Sequence, residues 1–388
     1  MEIANSRKLS ITWQTLHWPS QQGRTMFHPK AVELPDGSLF MTVQEIRGSD
    51  YYGDVLWSTS TDGGYGWSDL CKLEPLGWSP LENPGEFEGV CDTVPNYDPA
   101  TGKLVAIGHN VFYRENRFWD TLGTWRKSDH TSVHLRRGCY SVRQEDGSWG
   151  QRQYLEPEEF KGAAAFCCGC TQKIVRPNGE WLLPFYFMED TQGMNYRVTV
   201  YRAHFDGEKF TLLEHGTIFE NLTKRGLMEP SLIEYGGRVL ITLRAEDGNS
   251  HLAVSEDGLH YGPMQAWRFD NGEIPESFST QQHFLVINGK LYLSYTRNAG
   301  YNSKVMRFRA PLFIAEVNPE SLELIRESEQ IVFPIDGEWS HPETIARSGN
   351  FMPLSLKDGK GMMFDGSFKV DGTGIAMLAR IRNMEQSR

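Results

Sequence analysis

The sequence predicts an all-β protein, a six-bladed β-propeller, from a recurring turn, a hairpin octapeptide and the chain length. The turn recurs six times, each time before an alternating strand, and its aligned glycines are Gly37, Gly102, Gly179, Gly237, Gly289 and Gly359. Asp-Gly, Asn-Gly and Gly-Gly pairs favour two-residue β-hairpin loops. Spacings of roughly 50 to 80 residues leave room for a four-stranded sheet plus loops, so the repeat predicts one blade per turn around a common axis.

The octapeptide from Ser60 to Trp67 reads Ser-Thr-Asp-Gly-Gly-Tyr-Gly-Trp, the pattern called an Asp-box. Ser and Asp side chains bind the backbone of tight turns, and Gly63 and Gly64 allow backbone angles that other residues avoid. Trp67 offers a large apolar surface that anchors the outgoing strand. The motif predicts a hairpin between the outer strands of a blade, and residues 145–149 and 255–261 resemble degenerate copies.

The domain organisation follows from length and the lack of linkers. A chain of 388 residues exceeds the usual size of one hydrophobic core unless the fold is a barrel or a repeat array. No Gly/Ser-rich linker divides the sequence, and no stretch has sustained helical periodicity. We therefore expect one domain over residues 1–388, in which the N- and C-terminal segments complete a shared blade.

Charge and hydropathy exclude several classes of function. The net charge of −11 argues against nonspecific nucleic-acid binding, which needs a basic face. No apolar run reaches about 18 residues, so we expect no transmembrane helix and no membrane partner. Residues 1–14 lack the apolar core of a signal peptide. We expect a cytoplasmic protein, or a periplasmic or secreted one if a leader has been removed.

The cysteine and histidine patterns predict neither a metal site nor a cofactor. Of the six cysteines, Cys167, Cys168 and Cys170 form a cluster. Adjacent side chains of a strand point to opposite faces, and no second Cys-x-x-Cys pair follows, so small buried residues explain this cluster better than metal ligands. The eleven histidines contain no His-x-His or His-Glu-x-x-His pattern.

Polar residues occupy matching places in successive repeats, where the innermost strand of each blade meets the central channel. The strands on either side of the turns contribute, in chain order, His28, Lys30, Arg47, Asp92, His109, Gln172, Tyr186, Glu229, Arg244, Gln281 and Arg297. Charges without partners at a dry axis are strongly destabilising. We therefore expect these residues to bind substrate at a channel mouth, although any one Arg–Glu pair also fits a salt bridge between blades.

Three segments resemble the sialidase superfamily, six-bladed Asp-box propellers among the glycoside hydrolases. They are Glu45-Ile-Arg-Gly-Ser-Asp50 before the Asp-box, Cys91-Asp-Thr-Val-Pro95, and Met228-Glu-Pro-Ser-Leu232 followed by Leu243-Arg-Ala-Glu-Asp-Gly248. The resemblance implies that Asp50 is the general acid/base on a mobile loop and that Asp92 lines the sugar pocket. It also implies that Glu229 polarises a nucleophilic Tyr, and that Arg244 belongs to an arginine triad that binds the substrate carboxylate.

The chain departs from the sialidase pattern at two places. His28-Pro-Lys30 stands where sialidases carry the first triad arginine, which implies a divergent member lacking that arginine. The candidates for the third triad arginine are Arg297, Arg307 and Arg309. The last blade has Phe351 where a nucleophilic Tyr is expected. These differences favour a sialidase-like enzyme with a rebuilt pocket.

The function predicted on these residues is exo-acting hydrolysis of a glycosidic bond of an acidic sugar, or of a glycan carrying one. Glycoside cleavage generally uses two carboxyl groups, or a carboxyl group and a Tyr, and Asp50, Glu229 and Asp92 are the catalytic candidates. Arg binds carboxylates bidentately, so Arg244 and Arg297 indicate an acidic ligand. The expected partner is a glycan or oligosaccharide with a carboxylate, and the oligomeric state stays open.

Two other functions remain open at this stage. A polysaccharide lyase on the same fold would cleave a uronate-containing glycan by β-elimination, with His28, His109, His283 or Tyr186 as base and Arg244 or Lys30 on the carboxylate. A non-catalytic glycan-binding propeller would recognise the sugar without chemistry.

Overall fold

A computed structural model of the chain describes residues 8–21, 23–48, 50–119, 134–189, 195–277 and 279–384. The two ends of the predicted domain, 1–7 and 385–388, lie outside the described residues. Strands dominate the described ranges and the helices are short 3-10 turns, so the predicted all-β class is confirmed. None of the helices in these ranges is long and apolar enough to cross a membrane.

The first part of the chain forms β1 (Leu9–Leu16), β2 (Met26–Glu33), β3 (Leu39–Gly48), β4 (Tyr51–Ser60), β5 (Cys71–Lys72), β6 (Ser79–Pro80), β7 (Glu86–Asp98), β8 (Lys103–Arg114), β9 (Arg117–Trp119), β10 (Arg136–Val142), β11 (Gln153–Leu155), β12 (Ala165–Cys167), β13 (Ile174–Val175), β14 (Glu180–Met188), β15 (Arg197–Phe205) and β16 (Phe210–His215). The second part forms β17 (Met228–Tyr235), β18 (Arg238–Arg244), β19 (Ser250–Ser255), β20 (Gln265–Ala266), β21 (His283–Ile287), β22 (Lys290–Tyr295), β23 (Phe313–Glu316), β24 (Gln330–Ile331), β25 (Arg347–Ser355), β26 (Gly361–Phe368) and β27 (Gly374–Asn383). The 3-10 helices cover Pro19–Gln21, Glu74–Leu76, Glu158–Phe160, Met306–Phe308, Arg326–Ser328 and Pro342–Thr344.

The strands assemble mainly into antiparallel four-stranded sheets. Four of these have the orders β2-β3-β4-β5, β17-β18-β19-β20, β21-β22-β23-β24 and β1-β27-β26-β25. An eleven-stranded sheet consists of two antiparallel parts, β6 to β11 and β12 to β16. A short parallel pairing of β10 with β12 joins these parts at Arg136 and Arg137.

The first and last described strands share one sheet, which agrees with the expectation of a sheet shared by the two terminal segments. Strand β1 pairs antiparallel with β27 from Leu9 opposite Asn383 to Leu16 opposite Ala376. The expectation that the terminal segments complete a common sheet is therefore confirmed.

The recurring turns also lie where the sequence places them. They join β2 to β3, β7 to β8, β13 to β14, β17 to β18, β21 to β22 and β25 to β26, and each of these strand pairs is antiparallel. All six aligned glycines have a positive φ, between 70° and 82°. Because a β-carbon disfavours this conformation, glycine is the residue such turns select.

The octapeptide forms the hairpin between β4 and β5. The Ser60 hydroxyl donates to Oδ1 of Asp62 (2.8 Å) and accepts from the Gly64 amide (2.9 Å). The Asp62 carboxylate accepts from the Gly66 amide (2.9 Å), and the half-buried Trp67 donates its indole N–H to the Gly64 carbonyl (3.1 Å). The motif thus ties down its own backbone between the third and fourth strands of a sheet.

The degenerate copy at residues 255–261 forms a similar hairpin between β19 and β20. The Ser255 hydroxyl donates to Oδ1 of Asp257 and accepts from the Gly258 amide, both at 2.9 Å. The two hairpins therefore use the same side-chain-to-backbone contacts.

Six clusters of the apolar core each lie between two sheets or sheet parts. The clusters join β3 to β8, β8 to β14, β14 to β18, β18 to β22, β22 to β26 and β26 back to β3. In the last of these, Met41 of β3 packs in one cluster with Phe364 of β26 and Leu378 of β27. The order of these contacts is cyclic, because the last sheet packs on the first.

Candidate functional site

A cavity of about 290 Å³ receives side chains from most of the sheets. Its lining comes from β2, β3, β4, β7, β8, β9, β10, β14, β17, β18, β25 and β26, and from connecting segments that include Met306, Arg307 and Arg309. The ionisable side chains of the lining are Asp50, Tyr52, Cys91, Asp92, His109, Arg136, Tyr186, Tyr196, Arg225, Glu229, Arg244, Arg307 and Arg309. This concentration of charge makes the cavity the candidate functional site.

An unusual backbone conformation places side chains at or beside this cavity. Non-glycine residues with a positive φ lie at the register shifts of β2, β7, β17 and β25, namely His28, Asp92, Glu229 and Asn350. Cys170 and Ser279 have the same conformation just before β13 and β21. A bulge re-aims a side chain, and a left-handed non-glycine residue is strained by about 1–3 kcal/mol, so these positions indicate a site.

Asp92 is a carboxylate of the cavity with several close neighbours. Its Oδ1 accepts hydrogen bonds from Nδ2 of Asn350 and Sγ of Cys170, both at 2.7 Å. The same oxygen lies 3.1 Å from Nδ1 of His28 and 3.7 Å from Nζ of Lys30. Burial raises the pKa of Asp92, but the attraction of His28 and Lys30 outweighs burial and holds the pKa well below its usual range.

Lys30 is the cation behind Asp92. Its side chain is completely buried, and Nζ has no hydrogen-bond partner among the described residues. Burial lowers the pKa of Lys30, but the neighbouring Cys170 and Asp92 raise it above its usual value. Burial, together with repulsion from Lys30, lowers the pKa of His28 far below its usual value.

His109 lies directly opposite Cys91 in the pairing of β7 with β8. Its Nε2 is 3.4 Å from Sγ of Cys91, and its Nδ1 is 3.5 Å from the Tyr186 hydroxyl. Burial lowers the pKa of His109 to about 4. The imidazole is therefore neutral near pH 7.

Glu229 and Arg244 form a buried ion pair at the opposite strands β17 and β18. Nη1 of Arg244 donates to Oε2 of Glu229 at 2.6 Å, and the two side chains are 4% and 13% exposed. Nε of Arg244 donates to the Ser279 hydroxyl at 3.1 Å. Because the register of β17 shifts between Met228 and Ser231, the carboxylate of Glu229 lies beside the guanidinium of Arg244.

Further arginines surround this pair. Arg225 donates to Oε1 of Glu246 through Nε (3.0 Å) and Nη2, and although burial raises the pKa of Glu246, Arg225 lowers it to about 2. Burial and repulsion from Arg244 lower the pKa of Arg307 to about 10, and the same two causes lower the pKa of Arg309. Since these guanidinium groups repel one another, an anion bound among them is stabilised.

Asp50 lies in the turn between β3 and β4, with a φ of 58°, and its half-buried side chain lines the cavity. Tyr52 follows on β4 and is 7% exposed. Burial raises the pKa of Tyr52 well above its usual value, and the negative charges of Asp50 and Asp92 add to this effect. The Tyr52 phenol is therefore protonated beside the Asp50 carboxyl group.

The structure brings half of the sequence-predicted site residues to the cavity wall. Asp50, Asp92, His109, Tyr186, Glu229 and Arg244 line it. His28 and Lys30 lie behind Asp92 and contact it.

The other four predicted residues lie away from the lining, and Arg47, Gln172 and Arg297 have partners there. Arg47 pairs with Glu45 at 3.1 Å. Gln172 exchanges two hydrogen bonds with the backbone of Phe284, and Arg297 donates to both oxygens of Glu329 at 2.7 Å. Gln281 is buried, and among the described residues its Nε2 has no hydrogen-bond partner. None of these four residues is among the described lining residues.

Several functional candidates were missed by the sequence analysis. Cys91, Arg136, Tyr52, Tyr196 and Arg225 line the cavity, and Cys91 lies within a segment that was recognised. Cys170 and Ser279 share the positive φ of the predicted Asp92 and Glu229. Cys170 and Ser279 precede the next recurring turn by about as many residues as Asp92 and Glu229 do, and this regular spacing could have identified them from the sequence.

Asp365 supports the bulge that carries Asn350. The Ser348 hydroxyl donates to its Oδ2 (2.6 Å) and the Gly349 amide to its Oδ1 (3.0 Å). The side chain is buried, and burial raises the pKa of Asp365 to about 7 despite these hydrogen bonds.

The contribution of Asp365 to stability is expected to fall as the pH rises from about 4 to about 7. Its folded-state pKa of about 7 exceeds the value of about 3.9 in an unfolded chain, so the folded state binds more protons in this window. The contribution of Asp365 is fully present below its pKa in the unfolded chain and is lost as the pH rises through its pKa in the folded protein. Urea unfolding at about pH 5 and about pH 8 should show wild type losing roughly 2–3 kcal/mol relative to Asp365→Asn. A difference between the two proteins that is constant with pH contradicts this assignment.

Comparisons with known proteins give structural matches and no sequence match. No protein-family model matches the sequence, and no curated protein matches it. The sialidase of Trypanosoma rangeli matches with a TM-score of 0.62 at 18% identity, covering 96% of this chain and 59% of the sialidase. This chain therefore spans about three fifths of the length of that sialidase. Other structures of the same sialidase contain the inhibitor DANA or 2,3-difluoro-KDN.

Two further structures extend this result. NanB sialidase from Streptococcus pneumoniae matches with a TM-score of 0.63 at 13% identity, covering 95% of this chain and 70% of that one. A protein of unknown function from Dyadobacter fermentans matches with a TM-score of 0.62 at 12% identity, covering 97% and 99%. At these identities the likeness concerns the fold alone. The chain has an all-β fold similar to that of the Trypanosoma rangeli and NanB sialidases.

Proposed function

We propose that the chain is a single six-bladed β-propeller over residues 1–388 and acts as a sialidase-like exo-glycosidase on an acidic sugar. The cyclic packing of β3, β8, β14, β18, β22 and β26 supports one blade for each of these strands. The pairing of β1 with β27 supports closure of the last blade by the N-terminal strand. The observation that carries the function is the convergence of Asp50, Glu229 and Arg244 with further arginines on one cavity.

An acidic sugar fits the charge of this cavity. Arg244 and Arg309 each lower the pKa of Arg307 by repulsion, and a substrate carboxylate between them removes that repulsion. Nε of Arg309 is buried and has no hydrogen-bond partner among the described residues. Arg309, rather than the Glu329-bound Arg297, is therefore proposed to complete the carboxylate site. DANA and 2,3-difluoro-KDN in the Trypanosoma rangeli structures support this class of ligand.

The proposed catalysis uses two carboxyl groups on different strands. Asp50, half-buried beside the Tyr52 phenol, is proposed to protonate the leaving-group oxygen and then to activate water. Glu229 is held by Arg244 at 2.6 Å and is proposed to act as the second carboxyl group. Asp92, fixed through Oδ1, is proposed to orient the sugar and to stabilise its developing positive charge.

Exo-action fits the size of the cavity. Its volume of about 290 Å³ lies at the lower end of the range of about 300–1,000 Å³ for small-molecule sites. A cavity of this size holds one sugar ring with its substituents and leaves the remaining glycan outside. We therefore propose that a terminal acidic residue is the group released.

Asp50→Asn is expected to lower kcat by about 100- to 10,000-fold on a cleaved sialoside or uronide, because the amide donates no proton to the leaving group. Fluorogenic sialosides and uronides measure the rate, and ligand binding to the variant is expected to persist. Asp54→Asn is the matched control, since Asp54 lies on the same hairpin, pairs with Lys72 and is not among the described lining residues. Full activity in Asp50→Asn contradicts the assigned role.

A polysaccharide lyase is the second candidate, and one observation favours it. The neutral His109 imidazole lies 3.5 Å from the Tyr186 hydroxyl in the cavity wall, and His and Tyr are the bases that β-elimination uses. Uronate oligosaccharides distinguish the two reactions. A product that absorbs in the ultraviolet as an unsaturated uronate establishes elimination and overturns hydrolysis. Binding of either ligand class without product identifies a glycan-binding propeller instead.

A further inference from the structure

Three different potential metal ligands lie together in the cavity wall. One ligand atom from each of Cys91, Asp92 and His109 lies within 4.8 Å of the other two, and all three side chains are buried. Sγ of Cys91 is 3.4 Å from Nε2 of His109 and 3.8 Å from Oδ2 of Asp92. The thiol and the imidazole have no part in the proposed hydrolysis.

The local backbone explains how these side chains meet. Cys91 and His109 face each other across β7 and β8. Cys91 and Asp92 are consecutive, and consecutive side chains of a regular strand point to opposite faces. The bulge and the φ of 56° at Asp92 turn its carboxylate, so that it reaches the Cys91 thiol.

The two oxygens of Asp92 have different surroundings. Oδ1 takes the contacts with Asn350, Cys170, His28 and Lys30. Oδ2 faces the thiol of Cys91. The protein therefore holds one oxygen, while the other is oriented toward the thiol. In the same way, outer partners orient a carboxylate that binds a metal ion.

The two separations at Sγ of Cys91 are close to those around a tetrahedral zinc ion. With Zn–S of about 2.3 Å and Zn–N or Zn–O of about 2.0–2.2 Å, ligand atoms of a tetrahedron lie roughly 3.3–3.7 Å apart. The separations of 3.4 and 3.8 Å at Sγ of Cys91 need only small adjustments to reach these values. A sulfur–nitrogen–oxygen set selects zinc over magnesium and calcium, which prefer oxygen ligands.

We propose that Cys91 Sγ, Asp92 Oδ2 and His109 Nε2 bind one Zn²⁺ ion whose fourth position faces the candidate cavity. Binding breaks the S–H bond of Cys91, forms a Zn–S bond and releases the proton to solvent. The ammonium of Lys30, 3.7 Å from Oδ1 of Asp92, opposes an additional cation, so the thiolate bond is essential for binding. Nδ1 of His109 faces the Tyr186 hydroxyl, which orients the imidazole as an outer partner does.

A consequence for activity rests on the proposed function. Asp92 and the fourth metal position belong to the same cavity as Asp50, Glu229 and Arg244. Zinc bound there occupies the space and the carboxylate that the sugar uses, so zinc is expected to compete with the acidic sugar. The binding itself is independent of any reaction and is tested on the protein alone.

Cobalt(II) titration of the full chain tests the metal site, because cobalt replaces zinc and a thiolate–cobalt bond absorbs in the near ultraviolet. We expect one equivalent of cobalt to produce this absorption and one equivalent of zinc to abolish it. Cys91→Ser is expected to lose the thiolate–cobalt absorption band and to weaken zinc binding by about 100-fold or more. This loss is larger than the loss typical of a residue that only hydrogen-bonds a metal ligand. Cys71→Ser is the matched control, since Cys71 is an exposed free cysteine on β5.

The outcomes separate the metal site from the hydrolase. A wild-type protein without the band, or a Cys91→Ser protein that keeps it, overturns the metal site. His109→Gln provides a second variant, and it is expected to weaken zinc binding to a similar extent while thermal unfolding verifies that it folds. If the band appears and no sugar is cleaved, the zinc site stands and the proposed hydrolysis fails. If sugars are cleaved and zinc neither binds nor inhibits, the zinc site fails and the proposed hydrolysis stands.

Discussion

Arg244→Met is expected to destabilise the protein by about 3 kcal/mol, the lower end of the range for breaking a buried ion pair. The change removes the guanidinium that donates to Glu229 at 2.6 Å and leaves a carboxylate only 13% exposed without its cation. The Ser279 hydroxyl loses one of its two donors as well and keeps Nη2 of Arg225. Urea unfolding measures the free energy, and loss of binding of an acidic sugar accompanies it, since the same guanidinium is proposed to hold the carboxylate.

A double variant isolates the electrostatic part of this effect. Arg244→Met combined with Glu229→Gln removes both charges, so the double variant is expected to be more stable than Arg244→Met alone. Arg197→Ala is the matched control, because Arg197 forms an exposed ion pair with Glu220 and such pairs contribute less than about 1 kcal/mol. An Arg244→Met protein as stable as the Arg197→Ala protein contradicts the prediction.

Gly169→Ala is expected to damage the cavity wall and to destabilise the fold by about 1–3 kcal/mol, as overpacking does. A β-carbon at this position would lie 2.2 Å from Nδ1 of His109 and 2.7 Å from Cβ of Asp92. Both side chains must shift, and Asp92 carries contacts to four neighbours through one oxygen. Activity is expected to fall further than stability at a temperature where the variant remains folded.

The control for this steric argument is another glycine of the same region. Gly162→Ala adds a β-carbon with nothing within 4 Å, so activity and unfolding are expected to match wild type. A crystal structure of Gly169→Ala in which His109 and Asp92 keep their positions, or unchanged activity in that variant, defeats the packing argument.

Local chemistry explains why so much of the fold was predictable. The aligned glycines mark turns because a positive φ is a property of four residues and needs no distant contact. The octapeptide at Ser60 binds its own backbone, so its hairpin is likewise encoded in eight neighbouring residues. Asp92 and Glu229 were found because their offset from these turns is regular.

Long-range packing explains what the sequence did not reveal. Arg297 and Arg309 look alike as cations near the fifth recurring turn. Arg297 is neutralised by Glu329, which lies 32 residues further along the chain, whereas Arg309 reaches the cavity. Cys91 likewise becomes a candidate metal ligand only when β8 places His109 opposite to it. Such pairings depend on which strands neighbour one another, and a periodic pattern carries no information about the partner of a single side chain.

The left-handed bulges have a consequence for how such a protein diversifies. His28, Asp92, Cys170, Glu229, Ser279 and Asn350 present an imidazole, carboxylates, a thiol, a hydroxyl and an amide from the same backbone conformation. The same left-handed backbone conformation therefore holds side chains of different chemistry at these six positions. We expect single substitutions at these positions to change the chemistry of the cavity while the turns, hairpins and intersheet clusters stay unchanged. Libraries restricted to these positions are a compact route to altered specificity.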